Sequence, residues 1–391
     1  MKDEEAKIPI LDLPAQHAAL EEELSEGLAA VLATGRFILG EPVAAFEREL
    51  ARLCAAGHGV GCNSGTDALW LALRALDVGP GDAVLCPGYS FFATAATIAR
   101  VGARPVFADI LPGSLNLDPE DAIRRAERTP ELRAVISVDL FGRICEQGPL
   151  EAYCRERDIP IIEDAAQSIG ALDGTGDPVG AHARIACFSF YPTKNLGALG
   201  DAGGLVTSDA ALAERIARLR MHGESAPDLY TEIGINSRLD AIQAMALGVK
   251  LQHLERWTVA RRELAAHYDA LFARRGAAAP GEPLADARLP LRTPEACPAP
   301  GRHTYHRYVV RVPSERRAAL VEDLAREGIA SAVFYPRGLH EQPALAAFAP
   351  EQPLVETELA CRESLALPLF PELGLDRVEL VVGAVCRALE S

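Results

Sequence analysis

The sequence predicts an α/β fold: a mostly parallel sheet flanked by helices, joined to a smaller α+β C-terminal domain. Three observations lead there. Between about residue 21 and about residue 208, helical stretches alternate with short apolar runs. Several of those runs are apolar throughout, as expected of parallel strands covered by helices on both faces. Beyond residue 275 the alternation gives way to an Ala/Pro-rich stretch and a different pattern.

Taken in order, "AAFERELARLCA" and "DALWLALRAL" are helical, the second with Leu69, Leu73 and Leu76 at helical spacing. "HGVGC", "DAVLCPG", "RPVFADI", "RAVISVDLFG", "IPIIED", "IACFSF" and "GGLVTS" are the strand-like pieces. Asn236–Arg275 reads as one long helix, and "GAAAPGEPLADARLPLRTPEACPAPG" as a loop. After it come "YHRYVVRV", an alternating strand, then a helix, the stretch "GIASAVFYP" and a terminal helix after Pro371. The expected division is a large α/β domain, 1–255, and a small α+β domain, 256–391, both within ordinary domain size. Ligands of such sheets sit beyond the carboxyl ends of the strands.

Composition narrows the function. The formal net charge of −16 argues against nucleic acid or an anionic membrane as the main partner. Nine cysteines, odd in number and never spaced CxxC, read as reduced thiols and supply no zinc site. The nine histidines form no metal-binding spacing, so no metal is expected. "MKDEEAKIPI" lacks the basic and apolar regions of a signal peptide. No apolar run approaches the ~20 residues of a membrane span. The expectation is a cytoplasmic, soluble protein.

Three local features fall at strand ends or strand–helix turns. In "GCNSGTDALWLAL" a strand-like run meets Ser64-Gly65-Thr66 and then a helix, whose first amides could hold a phosphate. Ser64 or Thr66 could equally be a plain helix cap. In "IIEDAAQ", Asp164 ends an apolar run. It either caps the next helix or holds a cationic group of a ligand, since a buried unpaired carboxylate is costly. In "ACFSFYPTKNLGALGDAGGLV", Lys194 stands alone among apolar, hydroxyl and glycine residues. At its ordinary pKa only about one lysine amine in 2,500 is neutral at pH 7, so a nucleophilic role needs a partly desolvated site. A phosphate cradle, a carboxylate for a ring nitrogen and a lysine for an aldehyde are together the three handles of pyridoxal 5′-phosphate.

With those residues in hand, the sequence resembles the DegT/DnrJ/StrS family of sugar aminotransferases, which have the fold-type I architecture of pyridoxal-phosphate enzymes. The likeness runs from "GRFILGEPVAAFEREL" through "NSGTDALWLALRAL", "SFFATAATIARVGARPVFADI", "IEDAAQSIGA", "CFSFYPTKNLGALGDAGGLVT", "INSRLDAIQA" and "YHRYVVR" to "YPRGLHEQPA". It implies that Lys194 forms a Schiff base with the cofactor and then shuttles a proton, and that Asp164 pairs with the pyridinium nitrogen. By the same resemblance Gln167 contacts the ring or its hydroxyl, Phe91 rather than Phe92 stacks on it, and Gly65, Thr66 and Ser189 bind the phosphate. Asn236 reaches that phosphate from a partner subunit, which implies a homodimer with its active site at the interface. Candidate sugar-facing residues are Arg36, Phe37, Tyr191, His306, Tyr335 and His340.

Two departures from the family pattern stand out: "RICEQGPL" (143–150) where relatives commonly have an aspartate-containing "ADM", and Ser90 in place of a threonine. The family's dehydratase branch carries histidine where Lys194 stands, so the lysine favours transamination. The implied reaction moves an amino group from glutamate or glutamine to a nucleotide-linked keto-sugar for amino-sugar biosynthesis. The alternatives are a keto-cyclitol acceptor, or a regulatory protein that binds pyridoxal phosphate without catalysis.

Overall fold

A computed structural model describes residues 7–390. Helices α1 (Leu13–Ala18), α2 (Glu21–Thr34) and α3 (Glu41–Leu53) precede strand β1 (His58–Cys62). The expected alternation then appears: α4 (Gly65–Ala75), β2 (Ala83–Pro87), α5 (Ala93–Arg100), β3 (Arg104–Ala108), α6 (Pro119–Ala126), β4 (Leu132–Val138), α7 (Gly148–Glu156) and β5 (Ile161–Asp164). Strands β6 (Ile185–Ser189) and β7 (Gly203–Thr207) complete a seven-stranded sheet in the order β1-β7-β6-β5-β4-β2-β3. β2 to β6 pair in parallel, and only β7 runs against its neighbours. The apolar runs explain the layering. Val84, Leu85, Ile136 and Ile162 are wholly buried, because helices cover both faces of the strands that carry them.

Helix α8 (Ala210–Leu219) and an exposed hairpin, β8 (Glu224–Ala226) with β9 (Leu229–Tyr230), lead to α9 (Ala241–Leu251) and α10 (Leu254–Arg275). The single long helix expected over Asn236–Arg275 is therefore two helices, and the correction has a packing cause. Asp240 caps α9 by accepting from the Gln243 amide at 2.9 Å. Ala244 and Leu247 then pack in the cluster built around Phe46 and Phe190, whereas Leu264, Tyr268 and Phe272 belong to the core of the second sheet. One straight helix cannot turn both faces to their separate cores, so the chain breaks at Gln252–His253.

The second sheet runs β10 (Ala277–Ala278), β11 (Leu289–Arg292), β12 (Tyr308–Arg311) and β13 (Ser364–Leu367). Two of these strands lie inside the stretch read as loop, which is a second correction: Leu289 and Leu291 are buried on alternate positions, too short a signal to stand out among prolines. Helices α11 (Ser314–Arg326), α12 (Val355–Glu363) and α13 (Leu375–Glu390) cover it. We propose that the divide between domains falls at the start of α10, near residue 255, although Ile8 already packs in the second core.

Candidate active site

The carboxyl ends of β4, β5 and β6 open into a cavity of about 560 Å³ that also takes residues from the start of α4, from the turn after β6 and from the second domain. The phosphate-like cradle is built first. Ser64 caps α4, its Oγ accepting from the Asp67 amide at 3.1 Å, so the bland reading of that serine is right. The cap does not use Gly65 and Thr66, whose amides have no partner within the helix and which both border the cavity. A Cβ on Gly65 would lie 2.7 Å from the Cβ of Ser189, so only glycine lets the end of β6 approach this helix start. Two amides and a hydroxyl therefore meet at the positive end of a helix, an arrangement suited to an anion.

Asp164 ends β5, paired in register with Val138 and Cys187, and is buried. Its Oδ2 accepts from Thr94 Oγ1 at 2.8 Å, Thr94 contacts Ser90 Oγ at 2.8 Å, and the Ala166 amide donates to Oδ1 at 3.3 Å. Burial raises the carboxyl's pKa, while Thr94 and the nearby Lys194 charge pull it down. A carboxylate held this way is suited to a cationic ring nitrogen. Gln167 is oriented at both ends: its Oε1 accepts from the Phe141 amide at 2.8 Å and its Nε2 donates to Tyr335 Oη at 3.3 Å.

Lys194 sits in a tight turn between β6 and β7. Its amide donates to Tyr191 O at 2.8 Å, Asn195 Nδ2 donates to Thr304 O at 3.0 Å, and Leu199 N donates to Gln243 Oε1 at 2.8 Å. A Cβ on Gly197 would lie 2.3 Å from Pro192 O, which is why glycine closes the loop. From below, Lys250 of α9, wholly buried, donates to Gly197 O at 2.8 Å while its Nζ meets His17 Nε2 at 2.9 Å. Desolvation brings the Lys194 amine down to about 8, with Asp164 acting in the opposite direction and Arg307 adding to the fall. Lys194 borders the open cavity and is part-exposed as a residue.

Of the residues the sequence singled out, Gly65, Thr66, Phe91, Asp164, Gln167, Ser189, Tyr191, Lys194, His306 and Tyr335 all border this cavity. Phe91 is half exposed, its ring 6.2 Å from that of Tyr335, and Phe92 is not among the bordering residues. Arg36, Phe37 and Asn236 lie outside it and are exposed; Phe37 O accepts from the Ala241 amide, and Ile38 bridges Asp240. His340 is a correction. It packs over Gly338 with its ring 6.2 Å from Phe107 and its Nε2 3.9 Å from Glu358, because β3 and α12 form its pocket.

Several residues were missed. Thr94 lies one helical turn beyond Ser90, a spacing that could have suggested a hydroxyl relay to a buried acid. Arg307 and Phe334 reach the cavity from the second domain, and nothing local announces them. Behind Gln167 stands a pair of buried acids: Asp139 accepts from Ser168 Oγ at 2.7 Å and the Cys145 amide at 2.9 Å, Glu163 accepts from the Gly180 amide at 2.8 Å, and the two carboxyl groups hydrogen-bond each other. Burial raises both pKa values, so the pair keeps a proton between them.

A parallel sheet presenting a desolvated lysine, a buried carboxylate and a helix-start anion cradle to one cavity defines a pyridoxal-phosphate-dependent transferase, and the residues present fit that cofactor. The DegT/DnrJ/EryC1/StrS aminotransferase family matches residues 18–386, and the chain belongs to it; the protein is an aminotransferase. It is 41% identical to a "Pleiotropic regulatory protein" of Geobacillus stearothermophilus, over 97% of this chain and 98% of that one. It is 39% identical to a UDP-N-acetyl-3-dehydro-alpha-D-glucosamine 3-aminotransferase of Acidithiobacillus ferrooxidans, over 98% of each. Among solved structures it superposes on Streptomyces venezuelae DesV, a complex with a ketimine intermediate, with a TM-score of 0.91 and 36% identity over 99% of both chains.

Proposed function

We propose that this enzyme transfers an amino group from glutamate or glutamine to a keto-sugar carried on a nucleoside diphosphate, in the making of amino sugars. The observation that carries the reading is that Lys194 and the buried Asp164 share one cavity. The acceptor class is supported by the near-full-length likeness to a UDP-keto-sugar aminotransferase.

Bound pyridoxal phosphate supplies an electron sink that acidifies the carbon bearing the amine. The chain's own residues do the rest. Gly65, Thr66 and Ser189 would hold the phosphate, and Asp164, braced by Thr94, would hold the proton on the ring nitrogen. Gln167 and Phe91 would contact the ring. Lys194 would anchor the cofactor and hold or move a proton at its Nζ. A desolvated amine suits that task, since a general base works best with a pKa close to the working pH. Tyr191, His306 and Tyr335 line the space left for substrate.

The sugar's other neighbours come from a second copy in this reading. Phe37 and Ile38 are exposed next to Arg36 in the chain, Asn236 is exposed, and Leu229, Tyr230 and Ile233 stand exposed as well. Exposed apolar side chains of this kind favour a homodimer interface, with Arg36 and Asn236 completing the partner's cavity in this reading. Among the described residues no helix is long and apolar enough to cross a membrane, and we place the enzyme in the cytoplasm. The regulatory name of the Geobacillus relative raises a binding-only role; the lysine and aspartate meeting in one cavity favour catalysis.

The test is an acceptor panel with glutamate as donor. UDP- and dTDP-linked keto-sugars and a keto-inositol are offered, and aminated products are read by mass spectrometry. Amination of a nucleotide-linked sugar is the expected result. Amination of the keto-inositol alone would move the enzyme to the cyclitol branch.

A further inference from the structure

Asp139 and Glu163 stand behind Gln167 as a pair of acids. Asp139 follows β4, and Glu163 lies on β5, in register with Ser137 and Ala186. Both are buried, at 0% and 4% exposure, and their carboxyl groups hydrogen-bond each other. Two carboxyl groups can do that only with a hydrogen between them, and the surrounding donors show where it sits. Asp139 has both oxygens engaged: Oδ1 accepts from the Cys145 amide at 2.9 Å and Oδ2 from Ser168 Oγ at 2.7 Å. Among the described residues Glu163 accepts with Oε2 alone, from the Gly180 amide at 2.8 Å. The hydrogen therefore belongs on Glu163, which donates it to Asp139. The titratable groups facing the pair are Asp164, Asp173 and the thiols of Cys54, Cys145 and Cys187, none of which brings a positive charge. Burial first, and then the Asp139 charge, raises the Glu163 carboxyl well above its usual value, in keeping with that assignment.

Asp139 is tied to Gln167 on two sides. Ser168, its hydroxyl partner, is the next residue in the chain. The Cys145 amide closes the turn that carries Phe141, whose own amide donates to Gln167 Oε1 at 2.8 Å. A shift of the Asp139 carboxylate therefore disturbs both supports of the Gln167 side chain. We propose that Glu163 is a positioning residue: by donating its hydrogen to Asp139 it holds the turn that aims Gln167 at the cofactor. Loss of that hydrogen would leave two buried carboxylates in contact, with a repulsion that no facing group offsets. A cofactor-gripping state that keeps the proton loses affinity as pH rises, beginning where the cofactor-free pair gives the proton up. The proposal rests on the reading that Gln167 contacts the cofactor ring, and adds the group that sets it in place.

The experiment measures pyridoxal-phosphate binding to the full-length protein by equilibrium dialysis between about pH 6.5 and about pH 9.5. Wild type, Glu163→Gln, Gln167→Ala and the double variant are compared, since differences between them cancel the titration of Lys194 and of the cofactor to first order. The glutamine amide donates at every pH, so at the lower end Glu163→Gln should bind within about threefold of wild type. As pH rises the wild type should weaken relative to Glu163→Gln by about fivefold or more, the size of one net hydrogen bond. In the Gln167→Ala background the two profiles should coincide, because nothing is left for the pair to aim. Infrared spectra of the cofactor-free protein give a readout independent of Gln167. Near pH 7 the wild type should show the carbonyl band of a protonated carboxyl group that Glu163→Gln lacks. The proposal is overturned if wild type and Glu163→Gln share one pH profile, if their difference survives in the Gln167→Ala background, or if the wild type lacks that band. A band that is present while Gln167→Ala binds the cofactor like wild type would overturn it too, and would place the fault in the Gln167 reading. None of these measurements involves amino transfer, so they stand apart from the choice of donor and acceptor.

Discussion

Replacing Lys194 with methionine should change the stability of the cofactor-free protein in a pH-dependent way that can be worked out in advance. The amine falls from 10.5 to about 8 on folding, chiefly because burial disfavours its charge. Between those values the unfolded chain binds more protons at this position than the native one, so this group's contribution to stability rises with pH. At about 1.36 kcal/mol per unit the whole rise is at most about 3 kcal/mol, and solvent in the open cavity reduces it to about 1–3 kcal/mol. Methionine does not titrate. Wild type should therefore gain about 1–3 kcal/mol on Lys194→Met between pH 7 and pH 10.5, with most of the change above pH 8. Urea unfolding of both proteins at four pH values measures it, the difference between them cancelling every other titrating group to first order. A flat difference, or one that falls as pH rises, would refute the claim that the site holds its lysine against desolvation.

Further outcomes are expected elsewhere in the site. Gly65→Ala should weaken pyridoxal-phosphate binding at least about tenfold, read by cofactor titration, because the new Cβ needs the space held by Ser189 and disturbs a charged hydrogen-bond cradle. Asp164→Asn should slow the glutamate half-reaction by about 100-fold or more in stopped-flow, as the ring nitrogen loses its anionic partner. Lys250→Met should speed hydrogen exchange across residues 192–200 and lower kcat more than it raises KM, because Gly197 O loses its buried donor. Glu163→Gln should stay within about 1 kcal/mol of wild-type stability at pH 7 in urea unfolding, since the amide replaces the retained proton, whereas Glu163→Ala should cost about 2–4 kcal/mol. The raised acid also sets a sign: folding favours its protonated form, so its contribution is present at low pH and is lost as pH rises from the unfolded value through the native one.

The large sheet was legible because its strands announce themselves. "AVLCP" is an apolar run and "IIED" opens on one, both are buried throughout, and helical stretches of recognisable period separate them. Lys194, Asp164 and Gly65 were legible for a related reason: each interrupts such a pattern at a strand end. The second domain was harder. β11 has four residues, one of them proline, and its pairing with β12 spans a connection that no local period reveals. Arg307 escaped notice because it sits in an alternating strand run where an outward-facing arginine is ordinary, and only tertiary packing turns it into the cavity. His340 misled for the opposite reason. A histidine near a tyrosine in a motif looks functional, yet Phe107 and Gly338 shape a structural pocket around it.

The central claim, an aminotransferase worked by Lys194, is tested most directly by the visible spectrum of the protein loaded with pyridoxal phosphate, before and after excess L-glutamate, beside Lys194→Ala. The wild type should show a yellow band that bleaches on adding glutamate and returns on adding the keto-sugar acceptor. The alanine variant should not complete that cycle. A wild-type band that glutamate and glutamine both leave unchanged, or a Lys194→Ala protein that cycles at the wild-type rate, would contradict the account.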